Sequence, residues 1–288
     1  MTRFVTYWDG APLTHYEQLC LRSFLARGHH VELASYGTPG NVPEDVEVID
    51  ACDFLPIDPT TAALLHVEAY SKISDILRYR LLADGTRTWI DVDVMLLADD
   101  VPTASPLFGL EDDHHVNTAI LRLDRSSQLV ERLLEETEGL DAEETVRAER
   151  SAWGPLLLTR LVDELGLRDR AQPIEVLYPV RSRDLWRLFD PSEIGWCDRT
   201  LEGASTLHLW NEFLRRAALK ERRPARGSWL ERAMRAHGVT PHGPRIAVRW
   251  VRADWRQQLP EPPLVVVRPT VRSILRRIVR AVRRLRRP

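Results

Sequence analysis

Two kinds of hydrophobic pattern alternate along the first 220 residues of the chain. Short apolar runs at 4–8, 30–36, 46–49, 118–123 and 174–178 predict strands, and segments with apolar positions every three or four residues predict helices at 14–26, 60–83, 126–138 and 155–165. Thr14, with Glu17 three positions later, is a capping-box pattern at the start of the first helix, and Gly28 marks its end. Strands that alternate with helices indicate an α/β fold with helices on the faces of a sheet.

A further apolar run, at 89–94, contains two acidic residues. Asp91 and Asp93 are two positions apart, so we expect them to face the same side at the end of a short strand. Neighbouring carboxylates, with room left for water and phosphate oxygens, are what hard divalent cations prefer. The preceding helix adds Asp75 and Arg78, which share one helix face and lie off its apolar stripe. Together these residues predict a metal–diphosphate site.

The composition is that of a soluble globular protein: 288 residues, of which 44% are hydrophobic and 28% are charged. The N-terminus has no long apolar segment of the signal-peptide kind, and no apolar run approaches the roughly 20 residues that span a bilayer. The three cysteines are far apart in the sequence and form no Cys-x-x-Cys pair, which argues against a disulfide framework and a zinc site. We therefore expect a cytoplasmic protein.

The C-terminal tail, residues 271–288, differs in charge from the rest of the chain. It holds eight of the 40 basic residues and no acid, which leaves 32 basic against 42 acidic side chains in residues 1–270. Its apolar residues recur three and four apart with arginines between them, a pattern typical of a basic amphipathic helix that binds an anionic membrane surface or a partner. A solvated tail is the alternative. The acidic body argues against nucleic acid as a partner.

Four stretches of the sequence carry a resemblance to a known family. They are Tyr7-Trp8-Asp9-Gly10 with the segment 20–33, the segment 74–79 with Asp91-Val92-Asp93, the segment 117–121 with Trp153-Gly154-Pro155, and His208-Leu209-Trp210-Asn211. In this order, over residues 4–212, they resemble glycosyltransferase family 32, with its initiation-specific mannosyltransferases, α-1,4-glycosyltransferases and capsular polysaccharide transferases. Each motif is weak alone, so the resemblance depends on their common order.

The resemblance implies a GT-A fold, a Rossmann-like and mostly parallel sheet that binds a nucleotide-sugar at the carboxyl ends of its strands. Open α/β sheets bind ligands at that edge in general. It also implies transfer of a sugar, with retained configuration, from a UDP- or GDP-sugar to a hydroxyl of a glycan or lipid-linked acceptor in cell-surface polysaccharide synthesis. Residues 1–220 would form the catalytic domain, 221–270 an unassigned extension, and 271–288 a peripheral contact with the inner face of the cell membrane.

The same resemblance assigns roles to five charged or metal-binding residues. Asp93 and His208 would hold Mn²⁺ or Mg²⁺ against the diphosphate, and Asp91 would share the metal and contact the ribose or the sugar. Asp75 and Arg78 would hydrogen-bond the hydroxyls of the donor sugar.

Two further residues complete the expected donor site. Trp8, at the end of the first strand, would stack on the nucleotide base, and Asn117 would reach the donor or acceptor sugar. Each role has a structural alternative: a solvated turn for Asp91–Asp93, a buried structural histidine for His208, a surface ion pair for Asp75 and Arg78, a core tryptophan for Trp8, and a turn cap for Asn117.

Two rival functions fit parts of the pattern. A haloacid-dehalogenase-type phosphohydrolase also uses Asp-x-Asp with Mg²⁺, but near the start of its fold and with a downstream lysine, whereas here Val94 and Met95 follow and Lys220 is the sole lysine downstream. A catalytically silent binding module would not need the charged residues that the four motifs hold together. The sequence nominates no catalytic nucleophile, so we expect a front-face displacement by analogy with the family.

Overall fold

The computed structural model describes residues 2–57, 70–139, 152–249, 251 and 255. The first part of the helix predicted at 60–83 and the whole tail 271–288, with its predicted amphipathic helix, lie outside these residues. In the described part of the chain, no helix is long and apolar enough to cross a membrane.

A six-stranded sheet forms the centre of the molecule, in the order β3-β2-β1-β4-β7-β6. The first four strands in this order are parallel, and β7 runs antiparallel to both β4 and β6, so five strands share one direction. The predicted mostly parallel α/β sheet flanked by helices is confirmed. The strands are β1 (Arg3–Tyr7), β2 (His30–Ser35), β3 (Val46–Asp50), β4 (Thr88–Ile90), β6 (Leu107–Leu110) and β7 (Val116–Arg122).

A separate two-stranded antiparallel ribbon joins distant parts of the chain. It pairs β5 (Val94–Leu96) with β8 (Thr206–His208), and its register sets Val94 opposite His208. The sequence pattern did not predict this ribbon, because strands of three residues are too short to show a period.

Helices cover the sheet and follow it along the chain. They are α1 (His15–Leu25), α2 (Tyr70–Leu82), α3 (Gln128–Glu136), α4 (Pro155–Glu164), α5 (Ile174–Leu177), α6 (Ile194–Leu201), α7 (Asn211–Arg216) and α8 (Trp229–Ala236), with short 3-10 segments at Ala51–Asp53, Arg168–Arg170, Ser182–Phe189 and Pro191–Glu193. The N-terminus of α1 has the predicted capping box, with Thr14 and Glu17 bonded reciprocally, and Gly28 adopts the positive φ that ends the helical segment.

The core has two layers, one on each face of the sheet, because successive strand residues point to opposite faces. Val5 and Tyr7 pack with α2, α3 and α4, whereas Phe4 packs with α1 and α5. A third apolar cluster joins α1 to the C-terminal part of the chain, including Leu230 and Met234 of α8. The unassigned segment after residue 220 is therefore packed against the rest of the molecule as far as it is described.

Two local predictions were wrong. The apolar run at 174–178 is a turn of helix, α5, and not a strand, because an apolar run this short fits one helical turn as well as a strand and Pro173 starts it as its N-cap. Asp91 and Asp93 do not lie in a strand: β4 ends at Ile90, and the Val94 amide donates to the Asp91 carbonyl (2.9 Å), which makes Asp91–Asp93 a turn. Strand alternation is therefore not what brings their carboxylates together.

Candidate functional site

The candidate site lies where the chain changes direction across the sheet. From β1 the chain adds β2 and β3 on one side, and it then returns to add β4 on the other. In open α/β sheets the ligand crevice lies outside the carboxyl ends of the strands that flank such a point. Trp8 follows β1 directly, and Asp91 follows β4 directly. Two residues predicted for the donor site therefore lie at the same edge of the sheet.

Three predicted metal ligands converge there. Asp91, Asp93 and His208 each offer one ligand atom, and these atoms all lie within 4.8 Å of one another. Asp91 and Asp93 come from the turn between β4 and β5, and the pairing of β5 with β8 brings in His208. Two carboxylates and an imidazole are a donor set that suits a divalent metal ion, so the residues present fit the metal that the sequence implies.

Hydrogen bonds hold this cluster in place. His208 Nε2 lies 3.3 Å from Asp93 Oδ2, and the backbone N–H of Asn211 donates to the same carboxylate oxygen at 2.6 Å. The backbone of Asp93 is fixed as well, because its carbonyl accepts from the Leu209 amide at 2.9 Å. His208 stacks on Trp210, with ring centroids 4.2 Å apart, and its Nδ1 is buried without a hydrogen-bond partner among the described residues.

The electrostatics of Asp93 and His208 favour their charged forms. Burial alone would raise the pKa of Asp93 and lower that of His208. Attraction between the two side chains outweighs burial, so the pKa of Asp93 lies below its ordinary value and the pKa of His208 lies above it. The Asn211 amide and the charge of Lys220 also lower the pKa of Asp93. The ionised carboxylate of Asp93 is the form that binds a metal ion, whereas His208 must lose its proton before its imidazole can do so.

Asp75 and Arg78 form a buried pair that reaches Asp91. Arg78 Nη1 donates to Asp75 Oδ1 at 2.7 Å, and Arg78 Nη2 donates to Asp91 Oδ1 at 2.8 Å. The Trp89 indole donates to that same Asp91 oxygen at 2.7 Å, and the guanidinium lies 4.7 Å from the Trp89 ring centroid. The side chains of Arg78 and Asp75 are only 3% and 8% exposed. The alternative of a surface ion pair is therefore wrong.

Gly154 covers the Asp75 end of this pair. A Cβ built on Gly154 would lie 2.5 Å from Asp75 Oδ1 and 2.6 Å from Oδ2, closer than any real contact allows. The same turn is bonded to α2, because the Tyr79 hydroxyl donates to the Trp153 carbonyl at 2.8 Å. A residue without a side chain is required here so that the start of α4 can seal the carboxylate.

Trp8 is half-buried at the mouth of the crevice. Its indole N–H donates to the Ala11 carbonyl at 2.6 Å. The rings of Trp8 and Tyr70 pack in a T-shaped arrangement, with their centroids 5.9 Å apart. The ammonium of Lys220 lies 5.1 Å from its ring centroid. Trp8 is therefore neither a fully buried core residue nor a free platform, since one ring face already carries a cation.

Asn117 introduces a carboxylate that the sequence did not nominate. The Asn117 amide donates to Glu111 Oε2 at 2.8 Å, and its own oxygen accepts from the Ala119 amide at 2.7 Å. Burial raises the pKa of Glu111, with His208 and Asn117 acting in the opposite direction. Glu111 precedes an acidic and histidine-rich turn that resembles a solvated loop in sequence, so no local pattern distinguished it.

A second group of potential ligands lies away from this crevice. His30, Glu32 and Glu47 approach one another on β2 and β3. The buried Glu32 carboxylate is bonded to both Arg3 and Arg87, which neutralise it. This group is accordingly a weaker metal candidate than the one at Asp91–Asp93.

Comparisons with known proteins do not establish a family. No protein-family model matches the chain, and no curated protein matches it. Among solved structures, the chain is similar to "PaToxG Glycosyltransferase" (12% identity, TM-score 0.37, covering 70% of this chain and 75% of that one). It is also similar to the glycosyltransferase GlyE of Streptococcus pneumoniae TIGR4, in its apo form and in a second structure (12% identity, TM-score 0.35, 90% of this chain and 64% of that one). Likeness this low establishes neither family nor activity.

Proposed function

We propose that the protein is a retaining, metal-dependent glycosyltransferase. It would move a sugar from a UDP- or GDP-sugar to a hydroxyl of a glycan or lipid-linked acceptor, in cell-surface polysaccharide synthesis. The observation that carries the proposal is the convergence of Asp91, Asp93 and His208 at the switch point of the sheet, beside Trp8. The location would be cytoplasmic, with peripheral attachment to the membrane through residues 271–288.

The metal ligands in this proposal are Asp93, His208 and Asp91. A bound Mn²⁺ or Mg²⁺ would neutralise charge on the leaving diphosphate. The chain's own contribution is to fix the ligand oxygens beforehand. Arg78 and Trp89 hold one oxygen of Asp91, and the Asn211 amide holds one oxygen of Asp93.

The remaining roles in donor binding follow from position. Trp8, at the end of β1, would stack on the base, and Asn117 would reach the donor or acceptor sugar from β7, where its side chain also donates to Glu111. Asp75 and Arg78 are nearly buried, which supports a role in holding Asp91 in place. A contact of this pair with the hydroxyls of the donor sugar would be made by the small exposed part of the two side chains.

Retention of configuration is proposed through a front-face displacement, which follows from the resemblance alone. The bond from the anomeric carbon to the phosphate oxygen breaks while the acceptor oxygen bonds to the same face. The acceptor proton passes to the leaving phosphate oxygen.

The two rival functions fit the site less well. A phosphohydrolase of the dehalogenase type needs a free carboxylate nucleophile, whereas Asp91 Oδ1 accepts hydrogen bonds from both Arg78 and Trp89, which reduces its nucleophilicity. A silent binding module would gain nothing from a buried cluster of charged groups, because such clusters cost desolvation energy.

The proposal is tested by release of nucleoside diphosphate from a panel of UDP- and GDP-sugars. We expect release with Mn²⁺ or Mg²⁺ and none after chelation. Asp93→Asn should reduce it by about 100-fold or more, since even residues that only support metal ligands cost 10–100-fold. Asp163→Asn, which removes an exposed carboxylate on α4, is the matched control and should behave as the unaltered protein.

Two outcomes would overturn the assignment. Turnover by Asp93→Asn within a few-fold of the unaltered protein would remove the metal role. Metal-dependent release of inorganic phosphate from sugar phosphates, without any reaction of nucleotide-sugars, would favour the phosphohydrolase instead.

A further inference from the structure

One lysine lies beside the candidate metal cluster. Lys220 is one of two lysines in the sequence. Its ammonium donates to Asn211 Oδ1 at 3.0 Å, pairs with the Glu17 carboxylate and lies over the ring of Trp8. The side chain is 15% exposed. An ammonium group in such a position is held by the fold rather than dispersed in solvent.

The start of α1 fixes this lysine. Glu17 is fully buried, and one oxygen of its carboxylate accepts from Thr14 within the capping box while the other pairs with Lys220. The adjacent backbone is held from the same helix, because the Tyr16 hydroxyl donates to the Arg222 carbonyl at 2.7 Å and His15 Nε2 lies 3.1 Å from it. The position of the ammonium is therefore determined before any ligand arrives.

Lys220 also lies between two parts of the proposed donor site. On one side is Trp8, the expected platform for the base. On the other is Asn211. Its side-chain oxygen accepts from Lys220, and its backbone N–H donates to the proposed metal ligand Asp93. A nucleoside diphosphate bound as proposed would have its base at Trp8 and its phosphates at the metal. The diphosphate would then lie near the ammonium, which contacts both Trp8 and Asn211.

We infer that Lys220 binds the diphosphate of the donor and that Glu17 positions it. The ammonium has three donors, of which two meet oxygen atoms and the third faces an aromatic ring, a weaker partner than an anionic oxygen. Exchange of the ring for a phosphate oxygen adds a charge-assisted hydrogen bond without breaking the other two. The inference rests on the proposed function, since it presupposes a nucleotide ligand.

The test compares binding of UDP and GDP with binding of uridine and guanosine, in the presence of Mg²⁺, which is diamagnetic and does not broaden NMR signals. Calorimetry gives the diphosphate affinities, and ligand-observed NMR gives those of the nucleosides. Lys220→Met should weaken binding of the diphosphate by about tenfold or more, which is the worth of one hydrogen bond between charged groups. Nucleoside affinity should stay within about twofold. Arg222→Met, an exposed neighbour with the same change in charge, should alter neither affinity.

Removal of Lys220 leaves Glu17 buried without its partner, so a second variant guards against misfolding. Lys220→Met combined with Glu17→Gln removes both charges, and it should fold, by circular dichroism, and still lose diphosphate affinity. Unchanged diphosphate affinity in a folded variant would overturn the role of Lys220 alone. Equal loss for diphosphate and nucleoside would do the same. If the unaltered protein binds neither UDP nor GDP, the proposed function fails as well.

Discussion

Arg78→Met is the perturbation that most directly tests how the site is built. Arg78 is 3% exposed and joins Asp75, 8% exposed, to Asp91, 28% exposed. Removal of one partner from a buried ion pair costs about 3–5 kcal/mol, because it leaves a buried charge uncompensated. Loss of the contact between the guanidinium and the Trp89 ring adds about 1–2 kcal/mol, and the Met side chain offsets part of this by filling the space. We expect a net loss of about 3–5 kcal/mol in the free energy of unfolding.

Urea denaturation followed by circular dichroism measures this loss. The matched control is Arg132→Met, which removes the same side chain from an exposed pair with Glu164 (2.9 Å, side chains 27% and 37% exposed) and should cost less than about 1 kcal/mol. Asp75→Asn added to Arg78→Met should recover part of the loss, since it removes the stranded charge. A cost for Arg78→Met no larger than that of the control would refute the reasoning.

The same pair also separates two roles in the reaction. If Asp75 contacts the donor sugar, Asp75→Ala lowers turnover and leaves the affinity for free nucleoside diphosphate nearly unchanged. If Asp75 and Arg78 act by holding Asp91, the variant weakens Mn²⁺ binding too, and the loss of affinity extends to the metal-bound diphosphate. The position of the pair, which is bonded to the proposed metal ligand Asp91, favours the second result.

Three further predictions concern other parts of the chain. Gly154→Ala should destabilise the protein by about 1–3 kcal/mol and lower turnover, because its Cβ would displace Asp75, whereas Gly195→Ala, with its nearest atom 3.5 Å away, should be neutral in the same assays. Burial lowers the pKa of His15 to about 4, so the folded state favours the neutral ring. The free energy of unfolding should therefore fall by up to about 3 kcal/mol as the pH drops from 6.5 towards 4. His15→Asn should flatten this dependence on pH when the free energy is measured by urea titration. Deletion of residues 271–288 should release the protein from anionic vesicles and spare transfer to a soluble acceptor, and binding that survives both deletion and high salt would show that the tail is not the anchor.

Local signals in the sequence account for the elements that were predicted well. The capping box at Thr14 and Glu17 predicts the start of α1. The short apolar runs at 4–8, 30–36 and 46–49 predict strands and correspond to β1, β2 and β3. These features depend on residues a few positions apart, which a pattern can display. The strands β5, β6 and β8 show no such signal, because each has only three or four residues, and β5 and β8 are stabilised by pairing with each other across more than a hundred residues of sequence.

The candidate site divides in the same way. Asp91, Asp93 and His208 were nominated from motifs, and the structure brings them together, although through a turn and a ribbon and not through strand alternation. Glu111 and Lys220 were not nominated as site residues, because each owes its position to contacts across the fold and not to its neighbours in sequence.

Two hydrogen bonds join Asp93 to the segment that starts at β8, so the candidate site and the C-terminal part of the chain depend on each other. The Asp93 carbonyl accepts from the Leu209 amide, and its carboxylate accepts from the Asn211 amide, so one residue of the β4–β5 turn orders the start of α7. His208 is the last residue of β8, and Lys220 follows α7. The end of the segment is bonded to α1, because Lys220 pairs with Glu17 and the Arg222 carbonyl accepts from the Tyr16 hydroxyl. We therefore expect a change that loosens the packing of this segment to displace both the proposed metal ligand His208 and the Lys220 ammonium, even where Asp91 and Asp93 stay in place.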